Sequence, residues 1–342
     1  MKRRSTALAR SAALAGYAEL VRELGGEPEK LLRAVGIDAR ALEDPDRLVS
    51  YVAFIDLLEL TAARTECPEF GLRLSQRQGL TTLGPVGLLA RQERDVRSAF
   101  AVLLRHLHLH AEGLLVTMKE EDGMAVVTLN LAIPGLRSTR QIEELSVGMG
   151  LNVIRVLLGK RWAPESVYFA HAPAAKREVY RRLLAAPVHF DWEFTGYTFP
   201  AALLHLAVPD VDDDLHRYLL RYVEGLEARH SDDLLSKTRA LLGNLVSTRR
   251  CSLPVVARYL GLDARTLQRR LHDEGIGFRE LIDEVRLALA ERHLAESQKS
   301  LTQIAELIGY SELSAFTRSF RRRHRQSPSA WRAAHATRRQ GR

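Results

Sequence analysis

From Leu14 to about Ala111 the apolar positions keep the three-to-four-residue rhythm of helices. Leu14, Tyr17, Ala18, Val21 and Leu24 share one face, and Gly25-Gly26 ends the segment. Ser50 is placed to cap a further helix, in which Val52, Ile55, Leu58 and Ala62 make one buried stripe. Val96 to Ala111 repeats the pattern. The period then shortens. Leu114-Leu-Val-Thr-Met-Lys-Glu120 and Met124-Ala-Val-Val-Thr-Leu-Asn-Leu131 are short apolar runs separated by Glu121-Asp122-Gly123, which predicts a hairpin. The spacing predicts helices over 139–158 and 174–184 and strands over 166–170, 188–190 and 196–199. The result is an α+β domain ending near residue 210.

An acidic junction follows, Pro209-Asp-Val-Asp-Asp-Asp214 and then Ser231-Asp232-Asp233. Between these runs Leu215, Leu219, Tyr222, Val223 and Leu226 keep a helical stripe, so the connection reads as a helix and not a floppy linker. Such a stripe either packs on its own domain, the reading preferred here, or lies at a dimer seam.

Beyond residue 231 nearly every segment is helical, and the chain repeats itself. Ser252-Leu-Pro-Val-Val-Ala-Arg-Tyr-Leu-Gly261 recurs 48 positions later as Ser300-Leu-Thr-Gln-Ile-Ala-Glu-Leu-Ile-Gly309. Each copy is a short helix with a capping serine at its start, Ser300 forming a capping box with Gln303, and a glycine suited to the left-handed turn at its end. Each runs into a basic amphipathic helix. In the first, capped by Asp263, Leu267 and Leu271 face inward, leaving Arg265, Thr266, Gln268, Arg269 and His272 outside. In the second, which Ser311 would cap, Phe316 and Phe320 face inward, leaving Ser314, Thr317, Arg318 and Arg321 outside. Arg matches the two acceptors of guanine and Gln those of adenine in the major groove. The run Arg321-Arg322-Arg323-His324-Arg325 has no spacing that aims it into one groove, which suits phosphate instead. Between the heads, Phe278 to Ser297 predicts a helix of roughly 27 Å at about 1.5 Å per residue, with Leu281, Val285, Ala288, Leu289 and Leu294 inward. Major-groove faces recur about 34 Å apart, so two heads on such a strut can enter neighbouring turns.

Charge sharpens this picture. The net charge of +8 is carried entirely by the last third: residues 231–342 hold 21 Lys+Arg against 12 Asp+Glu, and the rest of the chain 29 against 30. A basic segment draws phosphate by counterion release. Cys67 and Cys251 stand alone, which excludes a disulfide framework or a metal knuckle. No apolar run approaches the roughly 18 residues of a membrane span, and the basic start lacks an apolar signal core. A cytoplasmic protein with no membrane partner, no cofactor and no bound metal is expected.

The C-terminal residues resemble the arabinose-regulator (AraC/XylS) family of transcription factors. The resemblance rests on Val256-Ala-Arg-Tyr-Leu-Gly261, Arg265-Thr-Leu-Gln-Arg-Arg-Leu271, Gly275-Ile-Gly-Phe278, Val285-Arg-Leu287 with Ala290, Ile304-Ala-Glu-Leu-Ile-Gly-Tyr310, Ser314-Ala-Phe-Thr-Arg-Ser-Phe320, Ser327-Pro328 and Trp331-Arg332, in order over about 80 residues. It implies two helix-turn-helix units joined by a long helix, with Arg265, Gln268, Arg269, Ser314, Thr317 and Arg318 meeting bases. Thr266, Arg270, Arg321, Arg322 and Arg325 are then assigned to phosphate. The sequence departs from the family at Arg323, His324 and Arg325, where aromatics and a glycine are common just before Ser-Pro, and that puts the end of the second reading helix in question. Residues 12–210 are similar, more loosely, to the sensing half of the branch that includes ornithine-utilisation regulators. That likeness rests on Pro68-Glu-Phe-Gly-Leu-Arg-Leu74, Gly84-Pro-Val-Gly-Leu-Leu89, Gln141-Ile-Glu-Glu144 and Pro187-Val-His-Phe190. It implies a small-molecule effector and a homodimer without identifying the effector.

The expected organisation is an α+β effector-binding and dimerisation domain over 1–210, a helical connector over 211–230 and an all-α double helix-turn-helix domain over 231–342. Its partners are double-stranded DNA, the effector and RNA polymerase, with activation as the expected sign and repression the alternative. Two other classes compete. A sequence-indifferent architectural protein would bind DNA by charge alone. An enzyme would need a convergent acid, base or nucleophile in 1–210, and the sequence displays none. Arg105-His-Leu-His-Leu-His110 invites a metal, since His106 and His110 lie one turn apart on a helix, but no Cys, Asp or further His follows at short spacing, apart from Glu112. Cys67 has no neighbour that would activate it and reads as structural. Glu143 and Glu144 diverge on a helix and read as surface or capping residues, with effector contact as the alternative.

Overall fold

The computed structural model describes residues 7–131, 133, 136, 138–229, 234–246, 251–259, 263–297 and 299–340. The chain divides into two compact units, one of residues 1–129 with 138–231 and one of residues 232–342 with 130–137.

The first unit opens with β1 (Leu8–Arg10), α1 (Tyr17–Glu23) and α2 (Pro28–Ala34), and β1 pairs antiparallel with β2 (Leu48–Ser50). Next come α3 (Tyr51–Arg64), α4 (Phe70–Ser75), α5 (Pro85–Arg91) and α6 (Val96–His106). Ser50 caps α3 as expected, its hydroxyl accepting from the Ala53 N–H at 3.3 Å, and Ile55, Leu58 and Ala62 are buried beside Tyr51, Phe54 and Leu57. The two-stranded sheet and the short helices α2, α4 and α5 were not legible in the pattern. Three-residue strands show no alternation, and one- or two-turn helices show too few repeats of theirs.

The predicted hairpin is present as β3 (Leu114–Glu121) and β4 (Met124–Leu131). Its two turn residues, Asp122 and Gly123, both have positive φ (51° and 76°), the backbone that matches strand twist in a two-residue loop. After α7 (Arg140–Leu158) come β5 (Ser166–Tyr168), α8 (Arg177–Leu184), β6 (Val188–His189) and β7 (Thr195–Pro200). The five strands lie in the order β3-β4-β7-β5-β6, antiparallel except for the β5–β6 pair, which α8 links by a crossover. Ala125, Val127 and Leu129 of β4 alternate inward. Two glycines let α4 lie close against α7: a Cβ on Gly71 would stand 2.0 Å from the Gln141 carbonyl oxygen, and one on Gly148 2.0 Å from Ser75 Oγ. Gln141 completes the contact, accepting from the Gly71 N–H at 2.6 Å and donating to the Pro68 carbonyl at 2.8 Å. Two of the sequence segments that carried the N-terminal resemblance therefore meet at one helix crossing.

The junction forms α9 (Asp213–Arg229), whose faces part company. Leu219 and Val223 are buried in the core of the first unit, with Leu226 packed at its edge, as the preferred reading required. Leu215 and Tyr222 are not buried with them, and together with Tyr218 they form an exposed strip in which the two tyrosine rings stack at 6.5 Å.

The second unit is all helical: α10 (Leu234–Val246), α11 (Leu253–Tyr259), α12 (Ala264–Asp273), α13 (Phe278–Glu296), α14 (Leu301–Leu307), α15 (Leu313–His324) and α16 (Pro328–Gln340). One apolar core joins Val256 of α11 and Leu267 and Leu271 of α12 to Leu281 and Val285 of α13, Ile304 of α14 and Phe316 and Phe320 of α15. The α13 helix is no free-standing strut. It packs against α10, α14 and α16, and Leu287, Ala288, Leu289 and Ala290 are all buried. Among the described residues no helix is long and apolar enough to cross a membrane.

Candidate nucleic-acid interface and apolar cavity

The basic helices α12 and α15 are each held by an apolar inner face and carry an exposed outer one. In α12, Asp263 is the N-cap as expected, accepting from the Thr266 N–H at 2.9 Å and from the Thr266 hydroxyl at 2.6 Å. The Thr266 proton is thus already given to the cap. With Leu267 and Leu271 buried, Arg265, Gln268 and Arg269 are exposed at positions i, i+3 and i+4 and share one face, and Arg270 is exposed beside it. Upstream, Ser252 sits where a cap should, its carbonyl accepting from the Val256 N–H at 3.0 Å. Gly261, expected to turn the chain between α11 and α12, lies outside the described residues.

The second head shows why its motif residues are needed. The Ser300–Gln303 capping box of α14 is complete, with bonds of 3.2 and 2.8 Å. Gly309 ends the helix with φ 77°, and a Cβ there would stand 2.2 Å from the Val246 carbonyl oxygen of α10. Only glycine satisfies both demands. Arg286 of α13 grips this turn twice, donating to the Gly309 carbonyl at 3.1 Å and lying 4.8 Å over the Tyr310 ring. Arg332 likewise donates to the Lys299 carbonyl at 2.7 Å. Motif residues of this kind aim the reading helix and leave the outward face to others.

Ser311 does not cap α15. The helix begins one residue later than expected, with Glu312 in the extended N-cap position and no side-chain cap bond; instead Ser314 donates to the Glu312 carboxylate at 2.9 Å. Ser314 and Arg318 are exposed and Thr317 half-buried at i, i+4 and i+3, and exposed Arg321 continues the same face at i+7. Arg322 is exposed, 3.5 Å from Asp283, an ion pair worth little in open solvent.

The question over the end of α15 resolves in detail. The helix ends at His324, and Arg325 adopts the left-handed conformation, φ 60°, its N–H closing on the Arg321 carbonyl at 2.9 Å. His324 takes the aromatic role: its ring stacks on Phe320 at 4.3 Å and stands edge-on to Trp331 at 6.3 Å. Arginine holds a position that glycine occupies at lower cost, by about 1 kcal/mol. Arg325→Gly is therefore expected to stabilise the second unit by about that amount in chemical denaturation. If Arg325 contacts phosphate, the same variant loses affinity alike for specific and random DNA. Unchanged DNA affinity would remove Arg325 from the phosphate set.

The first unit holds an apolar cavity, open at its mouth and walled by α3, α6, α7 and the sheet. Polar lining comes from Tyr51, Gln78, His110, Ser146 and Tyr197, and the lining contains no Asp, Glu, Lys or Arg. The Gln78 amide is spent on the carbonyls of Ala13 and Ala15 at 2.8 and 3.1 Å. Burial, with Arg10 nearby, pushes His110 down to about 4, so its imidazole is neutral near pH 7. Sequence reasoning could not single out this lining, because its residues follow the same periodicity as the core.

The other constellations fall into place. Glu143 and Glu144 are buried, correcting the surface reading, because α7 is covered by α3 and α4 as well as by β7. Glu143 accepts from Thr139 at 2.8 Å and from Thr195, Glu144 accepts from Tyr180 at 2.8 Å, and neither lines the cavity. Burial pushes Glu144 up to about 8. His106 lies 2.9 Å and His108 3.7 Å from one oxygen of Glu227, while His110 faces the cavity, so the three rings do not converge. Among the described residues no group of three or more His, Cys, Asp or Glu side chains is placed to hold a metal. Both cysteines are free, Cys67 buried and Cys251 half-buried, and burial raises both thiols, Cys251 to about 11. Neither is poised as a thiolate.

Residues 25–208 match the arabinose-binding domain found at the N-terminus of AraC transcription regulators, and residues 256–334 match a helix-turn-helix domain. The chain is 34% identical to the HTH-type transcriptional regulator VirS of Mycobacterium tuberculosis over 328 residues, covering 95% of this chain and 96% of that protein. It is 25% identical to the ornithine utilization regulator of Pseudomonas aeruginosa over 323 residues, 92% of this chain and 94% of that one. Among solved structures, the transcriptional regulator CdpR of Pseudomonas aeruginosa matches with a TM-score of 0.44 at 21% identity, over 90% of this chain and 96% of that one.

Proposed function

Because the chain belongs to the AraC family of DNA-binding transcriptional regulators, we propose that it couples binding of a small organic metabolite to promoter occupancy as a homodimer. Residues 1–210 bind effector and dimerise, 211–230 connect, and 231–342 carry α12 and α15 into successive major grooves. Arg265, Gln268, Arg269, Ser314, Thr317 and Arg318 read bases. Thr266, Arg270, Arg321, Arg322 and Arg325 hold phosphate, Thr266 by turning its hydroxyl proton from Asp263 to a phosphate oxygen. The observation that carries this reading is the pair of helices whose apolar faces share one core and whose Arg-bearing faces are exposed at helical spacing. The cavity supports the effector, and the exposed strip of Leu215, Tyr218 and Tyr222 supports the dimer. Activation through contact with RNA polymerase is the proposed output. Effector acts only by binding the DNA-competent arrangement more tightly than the other, since equal affinity shifts nothing.

The test is binding of the full-length protein to fragments flanking its own gene at physiological salt, with random DNA as competitor. A retained footprint about two major-groove turns long per subunit is expected. Loss to any competitor in equal measure favours the architectural reading, in which charge alone binds.

A further inference from the structure

The chemistry of the cavity in the first unit constrains what it accepts, on the reading that this unit is the effector-binding half. Its walls are side chains such as Phe54, Phe100, Leu103, Val153 and Ile154, and no charged side chain lines it. The cation near His110, Arg10, lies outside the lining and is paired with Asp46, so an ion brought into such a space loses its hydration and gains no free counter-charge, a cost far larger than one hydrogen bond returns. A carboxylate, an ammonium group or a free amino acid is therefore a poor occupant. A polar but neutral group fares differently. The Nδ1 atom of His110 is buried with no hydrogen-bond partner among the described residues, and buried polar atoms of that kind are uncommon in folded proteins. A neutral imidazole has one donor and one acceptor nitrogen, so it can meet a hydroxyl in either sense or donate to a carbonyl. Across the cavity lining, the Tyr197 hydroxyl lies against Gly150, where a Cβ would stand only 3.1 Å from it. Burial raises this phenol, which stays protonated and neutral as well.

We infer that the cavity takes an uncharged, mainly apolar organic molecule carrying a hydroxyl or carbonyl, and that His110 hydrogen-bonds this group. The apolar body of the ligand supplies affinity through area removed from water, and the single polar contact fixes its direction. His110 is a ligand contact and needs no metal or second charge to serve as one.

Three probes of equal chain length and different head charge test the inference: 1-octanol, octanoate and octylammonium, titrated calorimetrically into the full-length protein at pH 7.5. Saturable binding of octanol is expected, with the two ions bound at least about tenfold more weakly. His110→Leu is expected to lower octanol affinity about fivefold, the size of one hydrogen bond. Ser146→Trp, which fills the lining from a half-buried position, is expected to abolish octanol binding while the far-ultraviolet circular dichroism of the folded protein is unchanged. Octanoate or octylammonium binding as tightly as octanol overturns the uncharged class. No saturable octanol binding, or octanol binding that survives Ser146→Trp, overturns the assignment of the cavity. Octanol bound in the cavity with no change in DNA affinity leaves the site standing and counts instead against the proposed coupling of effector to promoter.

Discussion

Phe320→Ala is expected to cost the second unit about 3–5 kcal/mol, the range for an aromatic removed from a packed core, and to abolish specific DNA binding with it. Phe320 is fully buried and touches Phe316, His324 and Trp331 in one aromatic group, with ring centroids at 5.7, 4.3 and 6.1 Å. Its loss therefore frees the base of α15 and the start of α16 together. A domain of this size is stable by roughly 5–15 kcal/mol, so the substitution removes much of what holds the reading helix in place. Amide hydrogen exchange in the full-length protein isolates the effect from the first unit: protection in α14 and α15 is expected to fall by about two to four orders of magnitude, with that of α3 and α7 unchanged. Equal protection in the variant would mean that the core formed by these rings is not what positions the helix.

Arg269→Ala and Arg318→Ala are each expected to weaken binding to the specific site by about 1–3 kcal/mol, roughly 5- to 150-fold, and to leave binding to random DNA nearly unchanged. Among the described residues neither has an ion pair or side-chain hydrogen bond, and both are exposed on the outer face of their helices, so truncation costs little in folding. Specificity should relax at particular base pairs, different ones for the two variants. Arg321→Ala and Arg322→Ala serve as the contrast: they should weaken all sequences alike and lower the salt dependence by about one phosphate contact each. If Arg269→Ala lost specific and random binding equally, its side chain would be a phosphate contact and base reading would fall to Arg265 and Gln268.

The sequence by itself determined the elements whose stability is local. Ser50, Asp263 and the Ser300–Gln303 box cap helices through bonds spanning three residues, and Asp122-Gly123 closes a hairpin through its own backbone preference. The repeat with its glycine at 309 was legible for the same reason. Outward placement of Arg265, Gln268, Arg269, Ser314 and Arg318 follows once Leu267, Leu271, Phe316 and Phe320 are known to face inward. What needed the tertiary structure depends on partners distant along the chain. Glu143 and Glu144 read as surface residues because nothing near them announces Thr195 and Tyr180, 52 and 36 positions away. The two faces of α9 separate only when the core claims Leu219 and Val223 and leaves Leu215 and Tyr222 outside. Arg325 enters the left-handed region at the turn where His324 meets Phe320 and Trp331, residues placed together only in the packed unit. The cavity is the clearest case: Phe54, Phe100, Val153 and Tyr197 have the spacing of core residues. Whether the space among them is filled or open is decided by how three helices and a sheet meet, and a one-dimensional pattern of apolar positions does not encode that distance.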